Sequence, residues 1–232
     1  MNLRKVMRCV LAETLGTMFL LIAVVGSGIM GTRLAGGNNA IVLLANSLAT
    51  GGALIALIGA LGPISGAHFN PAVTLFEIAG RRAKWRTALF YIPAQIAGAI
   101  AGVVIAHAMF ALPLLQASQH IRATPGELIG EVVATLGLLL VIWGTARAKA
   151  DAVPAAVAAY IVGAYWFTSS TSFANPAVTI ARALTDTFAG IAPSSVAGFI
   201  AAQGAGLALA FAAVTLMSGD REASPPALPG AR

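Results

Sequence analysis

Asn70-Pro71-Ala72-Val73-Thr74 recurs 105 residues later (175 − 70) as Asn175-Pro176-Ala177-Val178-Thr179, and the two strings decide the fold. Each reads as a helix start. An Asn at the cap accepts a backbone N–H with its side-chain oxygen, and a Pro at the first helical position has no N–H to satisfy. The carboxamide N–H2 is then free to point elsewhere. From Asn70 the chain stays helix-compatible to about Gly80, ahead of a basic stretch from Arg81 to Arg86. That is roughly eleven residues, or about 16 Å of helix. The second copy runs to about Thr185. Both are about half of what a bilayer core of roughly 30 Å requires. Two half-length helices suggest re-entrant segments whose positive N-terminal ends meet near the membrane midplane.

The rest of the chain is what such segments need around them. Hydrophobic residues make up 58% and charged residues 9% of 232 residues, with a mean hydropathy of +0.86, which excludes a soluble globular domain. Apolar stretches at residues 10–30, 40–61, 86–110, 127–146, 152–167 and 193–217 read as six spans. The basic start followed by residues 10–30 imitates a signal peptide, but the run is too long and no cleavage site ends it. With these spans Arg33, Arg122 and Arg182 lie on one side, and the other 11 of the 14 Lys and Arg (14 − 3) on the opposite side. This asymmetry accounts for the net charge of +6 without a nucleic-acid partner and places both termini in the cytoplasm. The single cysteine, Cys9, excludes an internal disulfide.

Three markers recur in order: Glu13 with Glu131, the two Asn-Pro-Ala boxes, and Gln95 with Gln203, at offsets of 118, 105 and 108. Three spans per half is an odd number, so the second half is expected inverted relative to the first. The expectation is one channel domain over residues 1–217, with repeats at about 8–112 and 126–217, and a disordered cytoplasmic tail at 218–232.

Two Asn-Pro-Ala boxes, the first within Ser65-Gly66-Ala67-His68-Phe69-Asn70-Pro71-Ala72-Val73-Thr74, resemble the major intrinsic protein family of aquaporins and aquaglyceroporins. The resemblance covers about residues 12–217 and implies an all-α bundle of six transmembrane helices plus two re-entrant half-helices. It implies that Asn70, Pro71, Ala72, Asn175, Pro176 and Ala177 form the pore waist, both carboxamides donating to the permeating oxygen. His68 is expected on the inner half of the pore. Glu13 and Glu131 are costly inside spans. They read either as a proton relay or, as the family implies, as acceptors bracing the re-entrant loops. Most members carry Arg three residues after the second Asn, where this chain has Val178. Transferring the other filter positions by their offsets gives Thr50, Gly163 and Ser172, so the filter is expected to be wide, uncharged and mildly polar. Arg182, one turn beyond Val178, either supplies charge at the vestibule, pairs with Asp186, or sits among lipid headgroups. His107 and His120 match no metal spacing and read as incidental.

The expected function is a passive channel for small neutral solutes: water, glycerol- or urea-type molecules, and arsenite with methylated arsenicals. The arsenical expectation comes from a resemblance around Asn175-Pro176-Ala177-Val178-Thr179-Ile180-Ala181-Arg182 to the AqpS-like branch of bacterial aquaglyceroporins. A water-selective pore and an ion-coupled transporter are the alternatives. The family further implies a homotetramer, here in a bacterial-type inner membrane. No Ser/His/Asp, Cys/His or metal cluster is present in the pattern, so neither enzymatic activity nor a cofactor or metal is expected.

Overall fold

The computed structural model describes residues 3–218, and residues 219–232 of the expected tail lie outside the described residues. Eight α-helices follow one another: α1 Leu3–Leu34, α2 Asn39–Ser65, α3 Pro71–Ala79, α4 Trp85–Met109, α5 Pro125–Ala148, α6 Val153–Phe167, α7 Pro176–Arg182 and α8 Pro193–Ser218. Six of them, all but α3 and α7, are long and apolar enough to cross a membrane, with one short 3-10 turn at Ala150–Ala152 joined to the start of α6. The chain is a multi-pass membrane protein. Large apolar side chains such as Leu44, Leu48, Ile55, Leu89, Ile129 and Leu209 are exposed on its outside, as lipid contact requires.

Three of the boundaries that differ from the sequence expectation have an identifiable reason. α1 begins at Leu3 rather than residue 10, because Arg4, Lys5, Met7 and Arg8 are good helix formers and extend it past the apolar run. α2 passes through Pro63 and stops only where Gly66 turns left-handed (φ 88°) and returns its N–H to Gly62 O at 2.9 Å. α7 ends at Arg182 rather than near Thr185, whose hydroxyl is engaged at 2.7 Å by His107 Nε2 on α4.

α1 packs on α2 and α4, and α5 packs on α6 and α8. The halves are tight where glycines allow it. A Cβ on Gly98 would sit 2.2 Å from Thr14 O, and one on Gly206, its counterpart 108 residues on, 2.6 Å from Val132 O. α4 therefore lies directly on the α1 backbone, and α8 on that of α5.

Between the long helices the two re-entrant segments expose backbone that no helix satisfies. Ala67 and Phe69 have φ of 49° and 47°; Ser172 and Ala174, each 105 positions later, have φ of 50° and 48°. Non-glycine residues in this region cost on the order of 1 kcal/mol or more each. Two buried carboxylates hold them. Glu13 Oε1 accepts from Ser65 Oγ at 2.6 Å and His68 N at 3.0 Å, and Oε2 from Phe69 N at 2.7 Å and Gln95 Nε2 at 2.8 Å. Glu131 repeats the arrangement with Phe173 N at 2.8 Å, Ala174 N at 2.9 Å and Gln203 Nε2 at 2.6 Å. Each Gln also donates to the Thr of its box, Thr74 at 3.0 Å and Thr179 at 2.9 Å.

Glu13→Gln would turn an N–H2 toward groups that already donate, replacing charge-assisted bonds of about 1.5–3 kcal/mol each with a donor–donor clash. A markedly lower midpoint for loss of the monodisperse detergent-solubilised species is expected, and Glu131→Gln should behave alike; unchanged midpoints would refute the bracing role. Gly98→Ala should lower the same midpoint, whereas Gly204→Ala, where a Cβ meets nothing within 4 Å, should leave it unchanged or raise it.

Candidate functional site

The two half-helices meet at their N-termini, and the asparagines there are tied to each other's loops. Asn70 Oδ1 caps α3 through Ala72 N at 2.8 Å while its Nδ2 donates to Ala174 O at 2.7 Å. Asn175 Oδ1 caps α7 through Ala177 N at 3.0 Å and Val178 N at 3.3 Å while its Nδ2 donates to Phe69 O at 2.8 Å. A carboxamide nitrogen has two hydrogens, so each keeps one after this exchange. Both side chains line the same interior cavity. At that waist the remaining N–H groups and the positive ends of α3 and α7 favour an electron-rich oxygen and disfavour a cation.

The cavity continues past the waist in both directions with an uneven wall. On one flank lie aliphatic side chains of the long helices, among them Leu54, Leu138, Ile142, Val157 and Ile161. On the other flank lie the re-entrant loops with their polar groups. His68, two residues before Asn70, faces the cavity, held by Thr74 Oγ1 at 3.0 Å from Nδ1 and edge-on to Tyr91 at 5.3 Å. Glu13 and Glu131 are fully buried behind the loops and are not part of the cavity wall.

Beyond Asn175 the wall contains Thr50, Ser172, Val178 and Arg182. Gly163 is not in it: a Cβ there would face Phe167, whose Cε1 lies 3.5 Å away. Next after Val157 and Ile161 along α6, Tyr165 lines the wall here, with its hydroxyl 3.3 Å from Thr50 Oγ1. Two residues along a helix rotate a side chain by about 200°, so Tyr165 lies on a different face of α6 from Gly163. The clue in the sequence is the phenol itself, the polar tip of an aromatic inside an otherwise apolar span. Ser172 Oγ is enclosed without a protein partner.

Arg182 is 2% exposed, yet it lies in the cavity wall. Its guanidinium stacks on the ring of Phe173 with Cζ 3.4 Å from the centroid, and its Nε donates to Ala189 O. The possible partner at i+4 is turned away: Asp186 Oδ1 accepts from Gln119 N at 2.9 Å and lies 4.0 Å from His120 Nε2. Among the described residues no carboxylate is within ion-pair distance of Arg182. Glu77, at the matching position after the first Asn, instead pairs with Arg82 at 2.8 Å. Arg122 approaches the other side of this region, with Nε on Gly190 O at 3.0 Å and Cζ 5.3 Å from the Phe173 ring.

His107 has a structural role that its sequence surroundings do not reveal. It is fully buried, with Nδ1 3.0 Å from Leu114 O and Nε2 2.7 Å from Thr185 Oγ1, and so joins α4 to the turn after α7. Cys9 donates to Ile64 O at 3.2 Å inside the α1–α2 contact. No group of three or more potential metal ligands occurs among the described residues.

Comparison with known proteins places this architecture. The model of the major intrinsic protein family matches residues 1–173. Aquaglyceroporin AqpS of Rhizobium meliloti (strain 1021) is 50% identical over 206 residues, 88% of this chain and 87% of that protein. Aquaporin Z of Rhodopseudomonas palustris is 37% identical over 155 residues, 61% of this chain and 64% of that one. The X-ray structure of the aquaglyceroporin from Plasmodium falciparum superposes with a TM-score of 0.69 over 90% of this chain and 95% of that one, at 21% identity, and so shares the fold. A doubled Asn-Pro-Ala waist, six crossing helices and these matches together establish that the chain belongs to the major intrinsic protein family.

Proposed function

We propose that residues 1–217 form one passive channel domain for small neutral solutes: water, glycerol- and urea-type molecules, and undissociated arsenite with methylated arsenicals. The observation that carries this reading is the cavity that runs past both asparagines and is bounded beyond them by Thr50, Tyr165, Ser172, Val178 and Arg182. A hydroxylated solute sheds part of its water against the aliphatic flank and regains hydrogen bonds from Asn70 and Asn175. Arsenite as a trihydroxide presents the same donor and acceptor groups as a polyol. The 50% identity to a protein named an aquaglyceroporin supports the glycerol-type class.

With Val178 at the position where most members carry the filter arginine, the pore is wide at that level and selects weakly by size. The placement of Glu13 and Glu131 favours a channel over an ion-coupled transporter. A proton carrier has to face the permeation path in turn, and both carboxylates are instead saturated by loop and Gln donors behind it. The charge asymmetry of 11 against 3 supports cytoplasmic termini in an inner membrane, and membership of the family supports a homotetramer with one pore in each subunit.

Val178→Arg tests the width assignment. In proteoliposomes followed by stopped-flow light scattering, the variant should lose about tenfold in glycerol and arsenite permeability, since a barrier change of about 1.4 kcal/mol suffices, while water permeability falls far less. Equal loss of water and glycerol flux would place Val178 away from the constriction.

A further inference from the structure

The pore wall beyond Asn175 holds a charge that Val178 does not supply. Arg182 follows Val178 by just over one helical turn, about 6 Å along α7, and it lies in the same cavity wall as Thr50, Tyr165, Ser172 and Val178. From this juxtaposition we infer that Arg182 is the charge-selecting residue of the pore, separated by one turn from the level that sets its width. The inference rests on the channel reading and adds to it a residue that decides which solutes are refused.

Three features of the surroundings support this role. The first is that no carboxylate among the described residues lies within ion-pair distance of the cation. Asp186, its candidate partner in sequence, faces Gln119 and His120, and the buried carboxylate of the same half, Glu131, is committed to Phe173, Ala174 and Gln203. A buried arginine in contact with a carboxylate would present little net field to the pore, and this one has no such contact. The second is that, of the three guanidinium nitrogens, Nε donates to the protein at Ala189 O, so the two terminal nitrogens are left for whatever fills the cavity. Ser172 Oγ, buried and unpartnered, adds a hydroxyl on the same wall.

The third is how the side chain is held. Phe173 under the guanidinium plane and Ala189 O at Nε draw Arg182 back against the wall. A residue so restrained exerts its field without reaching across the lumen. Its charge has the same sign as the waist potential from the N-termini of α3 and α7, so a cation meets two successive positive regions in a low-dielectric passage. A neutral solute of the same shape meets only hydrogen-bond donors. In this arrangement Val178 opens the passage and Arg182 keeps it closed to cations.

Urea and the guanidinium ion are nearly isosteric, one neutral and one permanently charged, and their permeabilities in proteoliposomes test the inference directly. The wild type should pass urea and exclude millimolar guanidinium. Arg182→Gln should raise the ratio of guanidinium to urea permeability about tenfold or more, and Arg182→Lys should retain the wild-type ratio. The double variant Val178→Arg with Arg182→Gln moves the cation back by one turn; it should again exclude guanidinium, but should pass urea more slowly. That variant carries the test should Arg182→Gln alone fail to assemble. A wild type that passes guanidinium as fast as urea, an Arg182→Gln channel with the wild-type ratio, or a double variant that leaks guanidinium would each overturn the assignment. Wild-type vesicles that pass neither solute would defeat the channel reading itself.

Discussion

Backbone that leaves a helix within the depth of a membrane has no water to satisfy it, and the whole pore depends on how this chain meets that constraint. One carboxylate per half accepts the N–H groups of two consecutive loop residues, His68 and Phe69 or Phe173 and Ala174, and a glutamine on a neighbouring long helix closes the arrangement. With their N–H groups drawn to the carboxylates, the loops turn the carbonyls of Phe69 and Ala174 toward the waist, where each receives a hydrogen bond from the asparagine of the other half. The waist is therefore built jointly by the two repeats. Neither asparagine is positioned by its own half-helix alone.

Onto this repeated frame the two halves place different side chains. His68 and Phe173 are equivalent, 105 residues apart. The first holds a hydrogen bond to Thr74 at 3.0 Å and faces the cavity; the second provides the surface on which Arg182 is stacked. Glu77 and Arg182 are likewise equivalent, each seven residues after its Asn. Glu77 is neutralised by Arg82, whereas Arg182 has no such partner among the described residues. Packing differs in step. Gly16 gives space to Phe69, whose ring a Cβ would meet at 2.0 Å, and the corresponding residues of the second half are Ala134 and Ala174. The inverted repeat provides a symmetric scaffold and an asymmetric pore.

The architecture was legible in the sequence because its determinants are local or doubled. Six apolar runs, two Asn-Pro starts and three markers in matching order identify the helices, the half-helices and the inversion. Of the expected site residues, Asn70, Asn175, His68, Thr50, Ser172, Val178 and Arg182 fall on one cavity, and Pro71, Ala72, Pro176, Ala177 and Gly163 are not among its lining. Tyr165 was unforeseen because a count along the chain is not an angle around a helix, and two residues turn a side chain to the opposite face. The surroundings of Arg182 were beyond reach for another reason. Whether it pairs with Asp186 depends on the loop carrying Gln119, 67 residues earlier in the chain, and no periodicity encodes such a contact. The same holds for His107, whose partners Leu114 and Thr185 come from two separate turns.

The measurement that bears most directly on this account is water and glycerol permeability of wild-type proteoliposomes by stopped-flow light scattering, with and without an imposed proton gradient. A passive wide pore predicts rapid shrinking in an impermeant osmolyte, rapid reswelling in glycerol, and rates that do not change when the gradient is collapsed. Fast water flux without glycerol flux would show that Thr50, Ser172 and Val178 do not set the width. Glycerol flux that disappears with the gradient would contradict the passive channel altogether.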